Sequence, residues 1–407
     1  LINPGLIPQK SKRALRNYRS NLRLFSRNAR LFLVGTFFLG MGFSGFMLLF
    51  NLYLKEIGFP ESNIGNIISA TTVGMVIMAI PASFLLRRFA IKPILLLSTP
   101  VAVFSYFIQV TSVQYGTIIA SGFAAGMAAV FSRVAAAPFF MRNSTPQERP
   151  YLFSMQFALM LFAGVIGNTL SGFLPGIIES AGLVSYVTYR YTLLIFSVLV
   201  LAAVIPFSLI KQKPPRYTTR FKIRSSRTIA NLFLPNLIVG IGAGLSIPFM
   251  NLYFSDVFKT PAYMIGIFYS LQQVLMIMGL LVAPVIAERI GKIRTVVASQ
   301  VISIPFLIIL GTTHYLTLAV LSFLARAAFM NMAQPLYINF AMEKVHHEDQ
   351  PLTNALLTIA FTAGWGASAN FGGYLIEHFS YTQPFIATSI FYLISTAITF
   401  YLFRNVD

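Results

Sequence analysis

Twelve apolar runs, separated by short charged segments, decide what this chain can fold into. They lie near residues 31–54, 63–86, 93–113, 115–141, 151–177, 191–210, 229–254, 263–287, 293–313, 315–341, 352–376 and 382–403. About 20 apolar residues, at 1.5 Å of helix rise each, cross ~30 Å of hydrocarbon. Inside hydrocarbon the backbone must satisfy its own hydrogen bonds, and a run of this length does so as an α-helix. Only 10% of the residues are charged, against about 25% in soluble domains. The sequence predicts a polytopic all-α membrane protein and excludes a large soluble helical one. An even number of spans returns the chain to the side on which it began.

The net charge of +19 would suit nucleic acid if it formed one patch. It does not, because the basic residues sit between the apolar runs. Lys10, Lys12, Arg13, Arg16, Arg19, Arg23, Arg27 and Arg30 form a basic arm over residues 1–30, with neither the apolar core nor the cleavage site of a signal peptide. A central stretch from Lys211 to Arg227 carries seven basic residues, two adjacent prolines and no acid. Counted over all loops, one side holds twenty-five lysines and arginines and the other three: Lys55, Arg190 and Lys259. Cytoplasmic loops carry the excess of positive charge. The expected location is therefore the plasma or inner membrane, multi-pass, with both termini and the central stretch cytoplasmic. No cysteine is present, so thiol chemistry has no basis.

The second half of the chain repeats the first at an offset of about 200 residues. Asn51, Leu52 and Tyr53 close span 1, and Asn251, Leu252 and Tyr253 close span 7. Ile64 and Gly65 open span 2 as Ile265 and Gly266 open span 8; Pro150 matches Pro351, and Gly172 matches Gly373. The expected organisation is a basic arm (1–30), a six-helix bundle (31–210), a linker (211–228), a second six-helix bundle (229–403) and a short tail (404–407). Internal repeats of this kind characterise secondary transporters.

In span count, repeat and central linker the chain resembles the major facilitator superfamily of secondary transporters, of bacterial type, over nearly its whole length. That family's loop between spans 2 and 3 reads Gly-x-x-x-Asp-Arg/Lys-x-Gly-Arg/Lys. The second half is close to it, with Pro284, Glu288, Arg289, Gly291 and Lys292 at the matching places. The first half departs from it: Arg87 stands where the acid belongs and Ala90 where the second glycine belongs. The resemblance implies two pseudo-symmetric six-helix bundles, alternating access, and a central cavity lined by spans 1, 4, 7 and 10.

Two arginines fall inside spans, where a charge is costly and faces protein or a water-filled cavity. Arg326 lies near the middle of span 10; on helical spacing Met330 and Tyr337 share its face, with Gln334 close by. Arg133 lies in span 4 with Ala129 on its face. Each either draws an anionic or polar substrate group or binds helix carbonyls, and both readings stay open here. Gln272, Gln273 and Asn331 are further candidate substrate contacts, beside Gln156, Asn168, Asn339 and Asn370. The single tryptophan, Trp365, sits between two glycines in span 11, placed for stacking or for packing.

All eleven acids and all four histidines lie in loops or at span ends. His346, His347, Glu348 and Asp349 are adjacent on one short loop and do not make a convergent metal site. No phosphate-binding Gly-Lys-Ser/Thr motif is present. An enzyme, a metal and a cofactor are therefore not expected. The matched pairs Arg87/Glu288 and Arg142/Glu343 invert in charge between halves. This suggests a gate, to which Arg289 also belongs, in which Arg87 and Arg142 pair across the interface with Glu288, Glu343 or nearby acids when the cytoplasmic ends close; local pairing within each half is the alternative.

The reading is a secondary transporter of a small amphiphilic or anionic solute. A loose glycine-rich pattern in span 5 (Gly164, Gly167, Gly172, Pro175, Gly176) resembles one that exporters of the family carry, which tilts it toward export of a drug-like or lipid-like molecule. Uptake of an organic anion or sugar is the alternative; a non-transporting sensor or a lipid scramblase is the alternative of another class. Expected partners are a small-molecule substrate, membrane lipid and, as a candidate coupling ion, the proton. Asp256 and Glu56 are the acids nearest to a span interior. A monomer is expected.

Overall fold

The computed structural model describes residues 25–145, 148–180, 182–211, 224–332, 334–346 and 349–404. Most of the basic arm and of the linker, His347, Glu348, the last three residues and the side chain of Arg87 lie outside them.

Twelve long helical segments account for nearly all described residues, and no strand occurs among them. They are α1 (Arg27–Glu56), α2 (Glu61–Arg88), α3 (Ile91–Thr111), α4 (Tyr115–Asn143), α5 (Arg149–Glu179) and α6 (Ser185–Ser208). The second set is α7 (Ser226–Phe258), α8 (Ala262–Ile290), α9 (Lys292–Thr312), α10 (Leu316–Lys344), α11 (Gln350–His378) and α12 (Thr382–Phe403). Eleven are long and apolar enough to cross a membrane. The remaining one, α11, is rich in Gly, Ala, Ser and Thr because it is flanked by α7 on one side and α2 on the other, leaving less surface for lipid. Small residues are what let membrane helices approach closely.

Local chemistry sets the ends. Ser26 caps α1, its hydroxyl accepting from the Ala29 amide at 3.2 Å. Pro60 and Pro261 precede α2 and α8, where a missing amide costs nothing. Lys259, at φ 52°, turns the chain out of α7. Pro248 interrupts α7 with a single 3₁₀ turn at Ile247–Phe249. Span 6 begins earlier than the hydropathy suggests, at Ser185. Arg190 therefore sits in its first turns rather than in a loop, and its guanidinium donates to the Tyr53 hydroxyl at 3.1 Å.

Helix pairings repeat with the sequence. In the first set α1 packs on α5 and α6, α2 on α4, and α3 on α4 and α6. In the second, α7 packs on α11 and α12, α8 on α10, and α9 on α10 and α12. The sets meet through α2 with α11 and α5 with α8, two contacts that the repeat exchanges, and through α1 with α7.

These contacts are not even along the helices. We call the side bearing Phe25 and Arg404 the terminal face and the opposite side the far face. One apolar cluster, from Phe46 to Leu54 and from Phe249 to Phe254 with their neighbours, joins residues of both sets toward the far face. Toward the terminal face the core splits in two: one cluster around Phe32, Phe139 and Phe207, another around Leu232, Tyr337 and Phe340. Close backbone approaches between the sets, at Gly65 with Ala369, Gly373 with Glu61 and Gly172 with Gly266, lie in the far half. The molecule is closed toward the far face and parted toward the terminal face.

Candidate functional site

The far-face closure is built by the repeated Asn-Leu-Tyr motif. Asn51 donates to the Pro248 carbonyl at 2.7 Å and to the Asn251 side-chain oxygen at 3.3 Å. Asn251 donates to the Leu48 carbonyl at 2.7 Å. Each asparagine thus reaches the carbonyl three residues before its counterpart, and both are buried. The tyrosines turn the other way. Tyr53 donates to Val110 O at 2.6 Å and Tyr253 to Leu310 O at 2.5 Å, each within its own set. A polar ring lies just outside: Lys55 pairs with Glu61, stands 4.0 Å from Asp256, and Asp256 accepts from the Tyr381 hydroxyl at 2.8 Å. Glu377 of the second set accepts from the Ser62 amide of the first at 3.1 Å. The sequence displayed the repeat, but no local signal said that these asparagines cross between the sets.

Deeper in, the closure ends near Thr72 against Gly366 and Gln273 against Gly164. Thr169 and Ser270 share a 2.8 Å hydrogen bond just before that level. Beyond it lie two cavities.

The larger, of about 350 Å³, belongs to the second set and is walled by α7, α8, α9, α10, α11 and α12. Arg326, Met330, Gln334, Tyr337, Gln272, Gln273, Trp365 and Asn331 all line it, so the sequence-based candidates of the second half converge on one place. Their surroundings divide them. Arg326 is 3% exposed, its Nε is without a hydrogen-bond partner, and Tyr392 and Tyr269 flank it. Tyr337 is committed to structure, donating to Leu232 O at 2.7 Å. Asn331 donates to Ala327 O within its own helix at 2.8 Å. Trp365 packs beside Phe361, ring centroids 5.8 Å apart, and remains half-buried at the cavity wall. Gln273 keeps a buried side-chain oxygen unpaired. Gln334 is exposed. Tyr392, Asn236 and Gln300 also line this cavity. No signal in the sequence singles them out, since each needs its helix's rotation about its own axis to be known.

The smaller cavity, of about 110 Å³, lies in the first set against Arg133. Arg133 is exposed, its guanidinium 5.5 Å from the centre of the Phe43 ring. Ser98, Thr99, Ser132 and Gln156 supply polar atoms around it. Of the small residues on the Arg133 face, Ala129 lines the cavity, whereas Gly126 meets the Thr71 backbone and serves packing. Among the described residues no ion pair involves either arginine.

At the terminal face two of the charge-inverted residues, Arg142 and Glu343, have partners within their own set. Lys292 donates to Glu343 at 2.5 Å and to Asn339 at 2.7 Å. Arg142 donates to the Leu86 carbonyl at 3.3 Å. Glu288 and Arg289 are exposed. Among the described residues no ion pair or hydrogen bond carries Arg142, Glu288, Arg289 or Glu343 across to the other set, as befits a terminal face that is parted, and the Arg87 side chain lies outside the described residues. No group of three or more metal-ligating side chains occurs among the described residues.

The sequence profile of the Major Facilitator Superfamily matches residues 32–234 and again residues 232–407. The fold is similar to that of a bacterial homologue of the human lysosomal transporter Spinster, with TM-score 0.75, 15% identity, and 93% of this chain and 97% of that one covered. It is similar also to a D-xylose–proton symporter (TM-score 0.73, 13% identity, 92% and 96% covered) and to the nucleoside transporter NupG (0.72, 13%, 93% and 99%). Among curated proteins, no sequence matches.

Proposed function

The chain belongs to the Major Facilitator Superfamily, and on that footing we propose that it moves a small amphiphilic or anionic solute by alternating access between the two helix sets. It is a multi-pass membrane transporter, and its activity is secondary transport rather than catalysis of a reaction. One observation carries the substrate reading: two arginines without an acidic partner among the described residues stand at cavities within the membrane. An uncompensated charge there is costly, and an anionic substrate group relieves the cost. Met276, Met330, Phe361 and Trp365 give the larger cavity an apolar and aromatic wall that suits the rest of an amphiphile.

The domain division follows the helix sets, with the linker of 211–228 as the join, and charge bias places the terminal face in the cytoplasm. In that frame the described conformation is open to the cytoplasm. Closing it brings Arg87 and Arg142 of one set toward Glu288 and Glu343 of the other, and Glu343 then exchanges Lys292 for a partner across the interface. The direction we favour is export. For coupling to protons the candidate carboxylates are Asp256 and Glu56, at the outer ends of spans 7 and 1, with Glu61 beside Asp256 in the far-face ring; none of them lines either cavity.

The test is flux in proteoliposomes, with and without a pH gradient, for a panel of anionic amphiphiles and organic anions. Hydrogen bonds to charged groups contribute about 1.5–3 kcal/mol, so Arg326→Ala should slow uptake of a transported anion roughly 10- to 100-fold. Normal flux in that variant removes Arg326 from the site.

A further inference from the structure

The two arginines are not equivalent. Arg326 is 3% exposed and flanked by the hydroxyls of Tyr392 and Tyr269, a setting that holds it in place. Arg133 is exposed, and among the described residues no hydrogen bond or ion pair engages it; the face of Phe43 and the buried Tyr106, which lines the same cavity, are its neighbours. A guanidinium offers five N–H donors in a planar fork. A ring against its face does not use them, so they remain available to a ligand.

The cavity lining supplies a second, independent sign. Thr99 is 4% exposed, and its hydroxyl has no partner among the described residues. Hydroxyls in these helices ordinarily bond back to their own helix, as Thr36 does to Phe32 O and Ser132 to Ala129 O. Thr99 does not, and a buried polar atom left unpaired costs about 1–3 kcal/mol. It lines the same cavity as Arg133, Ser98, Ser132 and Gln156. At about 110 Å³ this cavity is a third the size of the other and suits a compact group rather than a ring system.

Building on the reading above, we propose that the first-set cavity holds the head of the substrate, a compact oxyanion such as a carboxylate or phosphate, bound by the Arg133 fork and the Thr99 hydroxyl. The apolar body extends into the second-set cavity beside Trp365, and Arg326 acts there as a positioning residue behind its two tyrosines. The substrate class is therefore an amphiphile with an anionic end, held by both sets at once. Such a ligand couples occupancy to the angle between the sets, because its two ends touch elements that move relative to each other.

The single tryptophan supplies the readout, since Trp365 lines the body cavity. Decanoate, decyl phosphate and decanol are titrated into the purified full chain while tryptophan fluorescence is followed, and inorganic phosphate is added as a competitor. Both anionic probes should bind at least tenfold more tightly than decanol, and their ranking tells carboxylate from phosphate. Arg133→Gln should abolish that preference and leave decanol affinity unchanged, Arg133→Lys should keep most of it, and Thr99→Val should weaken the anions several-fold only. Inorganic phosphate should displace decyl phosphate from the native chain and lose that ability in Arg133→Gln. A preference that survives Arg133→Gln, or that disappears only in Arg326→Gln, overturns the head-group assignment and leaves the proposed function standing. Failure of the native chain to favour any anionic probe overturns both.

Discussion

Replacing Asn51 and Asn251 tests whether the far-face closure is a gate. Three hydrogen bonds cross between the sets at this point: Asn51 to Pro248 O, Asn51 to Asn251 and Asn251 to Leu48 O. In membrane proteins such bonds average about 0.6 kcal/mol each, with a maximum near 1.7. Together they favour the far-closed conformation by about 2 kcal/mol, which is a factor of roughly 30 in population. Asn51→Ala removes two of the three, and the double variant removes all. Because the two side chains touch, the single effects should not add, and a double-mutant cycle should return a coupling of about 0.5 kcal/mol or more. The assay is pulsed electron paramagnetic resonance between labels at Ser180 and Tyr315, both exposed near the far face on different sets. The native chain should give one short distance, and the variants a second, longer one whose weight rises from the single to the double change. Tyr53→Phe is the control. It loses a 2.6 Å bond to Val110 O within one set, so it should lower the melting temperature without altering the distances. A double variant that folds and keeps the native distance distribution would refute the gate.

Two further outcomes follow from the terminal face. Glu343→Arg removes the acid from the proposed cytoplasmic latch. Partly exposed pairs contribute about 0–1 kcal/mol each, so labels across the terminal face should report up to a fivefold gain of the parted state, and no gain dissolves the latch. Asp349 fixes the end of the linker, accepting from the Ser225 and Arg224 amides at 2.8 and 2.9 Å. Burial acts to raise its pKa, but these hydrogen bonds outweigh it and hold the carboxyl below its ordinary range. A depressed carboxylate contributes stability that is present above its unfolded pKa and lost as pH falls through the folded one. The melting temperature of the native chain should therefore exceed that of Asp349→Ala by a constant margin between pH 5 and 7 and lose the margin below about pH 4; a margin unchanged at acid pH contradicts the assignment.

The linker illustrates how the two levels of description divide. Its charge alone marks it as a join, but only the structure reveals how the ends are held. The Lys211 amide and carbonyl bond the side chain of Asn28 at 3.1 and 2.7 Å, tying the linker's start to the first set, as Asp349 ties its end to the second. Thus a basic segment that read as a topological signal also has defined attachments on both sides.

Hydropathy and repetition are properties of the chain in one dimension. A run long enough to cross hydrocarbon must be a helix there, wherever its neighbours lie, and a repeated order of such runs must build the same bundle twice. The twelve helices, their division into two sets, the family and the unusual arginines were therefore legible before any contact was known. What a side chain meets depends instead on the rotation of its helix and on pairings between residues some 200 positions apart, such as Asn51 with Asn251. Arg326 and Arg133 looked alike in sequence, each a charge within an apolar span. The tertiary structure covered the first with Tyr392 and Tyr269 and left the second open above Phe43. It also decided which end of the molecule is closed, because that choice rests on many weak contacts between the sets, and no single span encodes it.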